Sequence, residues 1–239
     1  MWDTLLQILR EQWGWTLLRG AAMTLCIAFL GMALGVLIGI VGAQLKNRGP
    51  VLARWAISLY TTVVRSTPEL LIIYLLFFGS LDAASALSGW FGAGAGSGGI
   101  AWHAAAVGVV AIGLISGSYS VEVFRGALNA IPLGHIEAAH AIGMSPFTCL
   151  RRVILPQMVW YALPGSNNVW QTAIKDTALV SLVGLVEIMR AAQLGAANTR
   201  EPLILYGLGA LLFFMIALIS QAAFSMAERH FGRGLRVAV

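Results

Sequence analysis

An all-α integral membrane protein is the fold class this sequence predicts, and three observations predict it. Of its 239 residues, 59% are hydrophobic and only 10% are charged, with a mean hydropathy of +0.82. A soluble domain carries about 25% charged residues, so this chain lacks the polar groups to cover a surface in water. Apolar stretches also recur that are long enough to cross the hydrocarbon layer as helices, which takes about 20 residues each. Finally, the basic residues collect in alternate connecting segments, as they do in cytoplasmic loops. The net charge of +5 and the basic pI of 9.7 therefore report orientation in a membrane rather than affinity for nucleic acid.

The chain is read as one transmembrane domain over 1–239. Its first residues, with Trp2, Asp3, Arg10, Glu11, Trp13, Trp15 and Arg19, suit an interfacial helix or an aromatic belt. They do not make a convincing cleavable signal, because the apolar run that follows is long enough to span. Five stretches qualify as spans, at about 16–43, 55–79, 100–124, 163–182 and 203–226. In the first, Gly31, Gly35 and Gly39 recur every four residues and, with Ala33 nearby, offer a face for close approach of another helix. The second is interrupted by "RSTPE", Arg65 to Glu69, a proline and two charges in an otherwise apolar pattern. The third closes on Glu122 and Arg125, an expected interfacial ion pair. The fourth is the least apolar, and Pro164-Gly165 near its start allows a kink or a broken turn. The fifth is long and uninterrupted.

Lys46, Arg48 and Arg54 lie between spans one and two, and Arg125, Arg151 and Arg152 lie between three and four. Arg229, Arg233 and Arg236 follow span five. With five crossings all nine fall on one side, and the glycine-rich "GWFGAGAGSGG" loop on the other side has no Lys or Arg. The N-terminus is thus expected outside and the C-terminus in the cytoplasm. Cys26 and Cys149 lack disulfide or metal spacing and read as small hydrophobes.

The longest cytoplasmic segment is expected over 125–160. Pro132 and Gly134 break the chain, Glu137 to Ile142 favour helix, and Gly143 permits a sharp turn. Ser145-Pro146 reads as an N-cap followed by proline at the first helical position. Two short angled helices forming a lever-shaped knob are expected. His135 and His140 flank Glu137, which suggests a metal site. The two histidines are five residues apart, however, on different faces of a helix, whereas zincin chemistry needs an i, i+4 pair with glutamate directly after the first. The metal reading fails.

The same segment carries a long pattern with fixed spacing: "EAA" (Glu137, Ala138, Ala139), three residues, Gly143, nine residues, then "VILP" ending at Pro156. It resembles the EAA loop of bacterial ATP-binding-cassette (ABC) importer permeases, with Val153 where the family usually has isoleucine. "YTTVVRSTPELL" is similar to the RGTP region of polar amino-acid permeases, with Ser66 in place of glycine. "SYSVEVFRGALNAIP" and "ALPGSNNVWQTAIKDTALVSLVGL" extend the likeness over nearly the whole chain. Within the family it most resembles permease subunits of histidine, lysine/arginine/ornithine and opine importers.

The resemblance implies a five-span permease with cytoplasmic coupling helices, working in the bacterial inner membrane. The partners it implies are a homologous permease subunit, preferably in a heterodimer, two cytoplasmic ATPase subunits and a periplasmic solute-binding protein. It also implies that Glu137, Ala138, Ala139, Gly143, Pro146, Arg151 and Pro156 form the ATPase-coupling element, with Glu137 docking and Gly143 at the bend. This chain has no G-x-x-x-x-G-K-[ST] loop, and its only lysines are Lys46 and Lys175. ATP and Mg are therefore expected on the partner ATPase, with no cofactor in this chain, which is expected not to be an enzyme.

A solute crossing the membrane needs polar partners at depth, and ionisable groups inside spans usually face a cavity or the protein interior. In span four, Asn168, Gln171 or Thr172, and Lys175 recur at helical spacing with Asp176 adjacent. They either line a pathway or bond to neighbouring helices. In span two, Arg65, Thr67 and Glu69 form a second group. Arg65 either balances a substrate carboxylate or satisfies carbonyls freed by Pro68. The expected cargo is a polar, in particular basic, amino acid or an opine, moved by alternating access. An ion-coupled secondary transporter is the rival class, and it leaves the EAA segment unexplained. An intramembrane enzyme lacks a constellation, with no G-x-S-x-G elbow.

Overall fold

The structure is a computed structural model that describes residues 12–81 and 97–232. Trp2, Asp3, Arg10, Glu11, Arg233, Arg236 and most of the glycine-rich loop lie outside the described residues. The described residues are mostly helical: α1 (Gln12–Arg48), α2 (Val51–Ser66), α3 (Glu69–Gly79), α4 (Ser97–Asn129), α5 (Leu133–Ala141) and α6 (Pro146–Cys149) come first. A π turn over Leu150–Ile154 then leads into α7 (Leu155–Val180), and a 3₁₀ turn, Ser181–Val183, precedes α8 (Ile188–Thr199) and α9 (Pro202–Phe231).

Three of these helices are long and apolar enough to cross a membrane: Gln12–Arg48, Trp102–Asn129 and Pro202–Phe231. The number rises to five if two bent pairs each count as one span. The single span expected over 55–79 is one such pair, α2 and α3, set at 106°. The cause is local. Pro68 has no N–H to donate and disfavours helix in the residue before it, and Thr67 is accordingly extended at φ −94°, ψ 137°. Beside the bend, Ser66 Oγ donates to Thr62 O (2.7 Å) and Thr67 Oγ1 to Val63 O (2.8 Å), a carbonyl that also accepts the Thr67 N–H.

The other pair joins the segment Pro146–Val183 to α8 at 51°. Here the sequence reading needs two corrections. The expected span over 163–182 begins earlier, at Leu155, and Pro164-Gly165 neither breaks nor interrupts it: α7 is helical throughout. Gly165 lies so close to α4 that a Cβ there would sit 2.8 Å from Val123 Cγ1, so packing holds the backbone in line where proline removes a hydrogen bond. Nor does sequence reasoning anticipate α8. The chain bends at Gly184 in a left-handed conformation (φ 96°), and Glu187 then caps α8 by accepting the Arg190 N–H at 2.9 Å.

The bundle is centred on α1 and α4, which run together along the predicted glycine face. A Cβ on Gly31 would lie 2.7 Å from Ile112 Cγ2, and one on Gly39 would lie 2.5 Å from Ser120 Cβ. Nothing larger than hydrogen fits at those points. Around this axis Ile27, Ile73, Ile112, Ala173 and Val180 bring α1, α3, α4 and α7 into one buried cluster. The outer helix α9 packs on α8 and α7 and leaves most of its apolar surface exposed, as suits contact with lipid or another membrane chain.

Candidate functional site

Two regions carry the residues singled out from sequence. The first is the segment between α4 and α7. Its turn is built as the sequence predicts: Gly143 adopts φ 80°, which only glycine accepts without strain. The Gly143 N–H reaches His140 O (2.9 Å) and the Met144 N–H reaches Ala139 O (3.0 Å), the paired bonds of a Schellman helix end. Ser145 caps the next helix by accepting the Thr148 N–H at 3.3 Å, and Pro146 takes the first helical position. The second arm of the knob is not an independent short helix, however. After Cys149 it widens into the π turn and continues as α7. Pro156 lies just beyond that turn, where its missing N–H favours a departure from the regular α-helical ladder.

This segment thus places Glu137, Ala138, Gly143, Pro146, Arg151 and Pro156 on the exposed side. Ala139 differs: it is only 4% exposed and faces inward, so its smallness serves packing beneath the knob rather than an outer contact. The structure adds residues that sequence reasoning missed. Ile142 and Phe147 are 73% and 71% exposed on either side of the Gly143 turn. Large apolar groups in that position, on an element bounded by basic residues, favour a protein partner over water. The available signal was an apolar residue on each flank of the predicted turn.

The second region runs along α7. Asn168 and Lys175 are exposed on one face, with Thr172 between them and partly covered. Gln171 turns away and donates from Nε2 to Ala217 O of α9 at 3.3 Å, so it ties two helices together. Asp176 is buried, at 8% exposure, and its Oδ2 has no hydrogen-bond partner among the described residues. The charged groups acting on it are Glu69, at the start of α3, and Lys175. Helix α3, which Glu69 opens, packs against α7, which bears Asp176, so the two sequence groups lie on neighbouring helices, which sequence spacing does not reveal.

The Arg65 guanidinium lies over the Tyr119 ring of α4, 5.2 Å from the centroid. It edges an open polar cleft of about 550 Å³ shared with Lys46, Thr61, Thr62, Tyr119 and Glu122. Glu122 accepts from Arg125 (2.8 Å), as expected, and also from Lys46 Nζ of α1 at 2.5 Å, which adds an interhelical tie. A further polar tie was missed altogether. Glu187 is fully buried and accepts from Thr24 Oγ1 of α1 at 3.4 Å, beside Gly20, where a Cβ would lie 2.9 Å from the Glu187 carbonyl carbon.

The family described as "Binding-protein-dependent transport system inner membrane component" matches residues 31–230. The chain belongs to this family. The permease is 43% identical over 231 residues to the octopine transport system permease protein OccQ of Rhizobium radiobacter, covering 96% of this chain and 95% of that one. It is 36% identical over 222 residues to the histidine/lysine/arginine/ornithine transport system permease protein HisQ of Escherichia coli (strain K12), covering 93% and 96%. The crystal structure of an amino acid ABC transporter with histidines superposes at a TM-score of 0.75 with 28% identity, covering 92% of this chain and 95% of that chain. A MetNI methionine ABC transporter chain in an inward-facing conformation, at 21% identity and a TM-score of 0.69, shares the fold, over 93% of the permease and 99% of that chain. The resemblance read from the EAA segment and its flanks is thus borne out, and the relatives are permease subunits of amino-acid and opine importers.

Proposed function

We propose that this permease carries basic amino acids or opines inward by alternating access, driven by a separate ATPase that grips the knob around Gly143. The observation that carries the proposal is the exposure of Ile142 and Phe147 on a conformationally fixed turn beside Glu137. Continuous chain through α6 and the π turn connects that turn to α7, so movement at the knob is delivered to the polar face bearing Asn168, Thr172 and Lys175. In this reading Glu137, Ala138, Gly143, Pro146, Arg151 and Pro156 form or shape the docking element, with Ala139 packed beneath it.

The bent pairs each count as one crossing, giving five spans in one transmembrane domain, with the N-terminus outside and the knob and C-terminus in the cytoplasm. The exposed Lys175 and Asn168 support a second, homologous permease chain, because polar groups at membrane depth need a protein or aqueous neighbour. The preferred assembly is a heterodimer with two ATPase subunits that hold ATP and Mg, served by a periplasmic solute-binding protein. Cationic cargo is supported by the nearby carboxylates Glu69 and Asp176, and by relatives whose names specify octopine or histidine/lysine/arginine/ornithine transport.

The test is uptake by proteoliposomes holding the complete assembly with binding protein outside. Accumulation of arginine, histidine or an opine that requires internal ATP is the expected result. Accumulation driven by an ion gradient without any ATPase contradicts the proposal and establishes the secondary-transporter reading instead.

A further inference from the structure

His135, dismissed as a metal ligand, has a specific partner in the structure. Its Nδ1 lies 2.8 Å from Oε1 of Gln157, which sits early in α7. Gln157 is buried, and its other end is committed: Nε2 donates to Val153 O of the π turn at 2.9 Å. With Nε2 already donating, Oε1 is the acceptor, so His135 Nδ1 carries the proton that makes the bond. The result is a continuous chain from α5, through a buried amide, to the backbone of the π turn. It crosses the one place where the connection between knob and long helix departs from regular α-helix.

A π turn interrupts the regular ladder that makes a helix move as a rigid rod. A second connection bridging it restores stiffness between the docking arm and α7. We infer that the His135–Gln157 bond is the strut that makes α5 and α7 respond as one body when the ATPase moves the knob. His135 and Gln157 are then positioning residues of the coupling step. Their role is exerted on each other and on the π turn, which sets them apart from the docking residues around Gly143. This inference rests on the coupling reading proposed above.

The experiment uses the full assembly in proteoliposomes and records substrate imported per ATP hydrolysed. His135→Ala is expected to lower that ratio about fivefold, the scale of one lost hydrogen bond, with ATP hydrolysis unchanged. His135→Gln, whose amide can also donate to Gln157 Oε1, is expected to restore the ratio. His135 is exposed, so its replacement leaves the core intact. The double variant His135→Ala/Gln157→Leu is expected to be no worse than Gln157→Leu alone, because both remove one shared contact. An unchanged ratio in His135→Ala, or failure of His135→Gln to exceed His135→Ala, overturns the strut. A parallel cross-link from Ala138→Cys to the ATPase separates the two levels. If it forms with and without His135 while the ratio is unchanged, docking stands and the strut falls. If it never forms in the otherwise native chain, the coupling reading falls and the strut with it.

Discussion

At the scale of single residues, the side chains that matter most have no water to fall back on. Glu187 has no exposed surface, yet its carboxylate is shared between the Arg190 N–H of its own helix and Thr24 of α1. Removing the carboxylate leaves the first turn of α8 and the Thr24 hydroxyl without their partner. Glu187→Ala is therefore expected to destabilise the permease by about 1–2 kcal/mol, the usual range for a lost N-cap, read as a lower unfolding midpoint in detergent. Asp176 is buried with an oxygen that has no hydrogen-bond partner among the described residues, and the proposed function gives that carboxylate a cationic cargo to meet. Asp176→Asn in the full assembly is expected to slow uptake of cationic substrate roughly tenfold, about 1.4 kcal/mol. Uptake of arginine and histidine at the native rate would show that this carboxylate does not serve the cargo.

At the scale of elements, what was legible in the sequence depended on how local its cause was. The Gly143 turn, the Ser145 cap and the glycine face of α1 were legible because each is set by one residue's backbone freedom or by a period along one helix. The sharp bend at Pro68 could have been read from "RSTPE" by the same logic, but an apolar run on both sides argued for one span. Helix α8 was not legible because its apolar side is mostly alanine and glycine (Ala191, Ala192, Gly195 and Ala196), which bury well and score weakly as hydrophobes. Nor was the contact of His135 with Gln157, since these meet only after α5 folds back on α7. The glycine face gives a direct expectation. Gly35→Leu drives a side chain into Ser116 and the Gly117 backbone of α4, and overpacking of this kind costs about 1–3 kcal/mol or more. The yield of folded permease in membranes should fall while Gly126→Leu, at a glycine with open space around it, leaves yield unchanged.

At the scale of the whole molecule, two surfaces separate by chemistry. Most of the exposed apolar area lies on helices suited to lipid or a sister chain, whereas Ile142 and Phe147 stand out on a knob set apart by basic residues. The polar cleft and the tie of Glu122 to Lys46 and Arg125 lie toward that same end. An importer subunit needs this division: a grip outside the bilayer, stiff helices within it, and a polar face for the cargo.

The most direct measurement of that claim is a cross-link at the knob. Phe147→Cys, in a chain with Cys26→Ala and Cys149→Ala, is coupled to cysteines placed along the ATPase surface in native membranes. The account predicts a cross-link whose yield changes when ATP is bound, with transport lost once it forms. A Phe147→Cys chain that supports full ATP-driven uptake, yet never cross-links to any ATPase position with or without nucleotide, would contradict it.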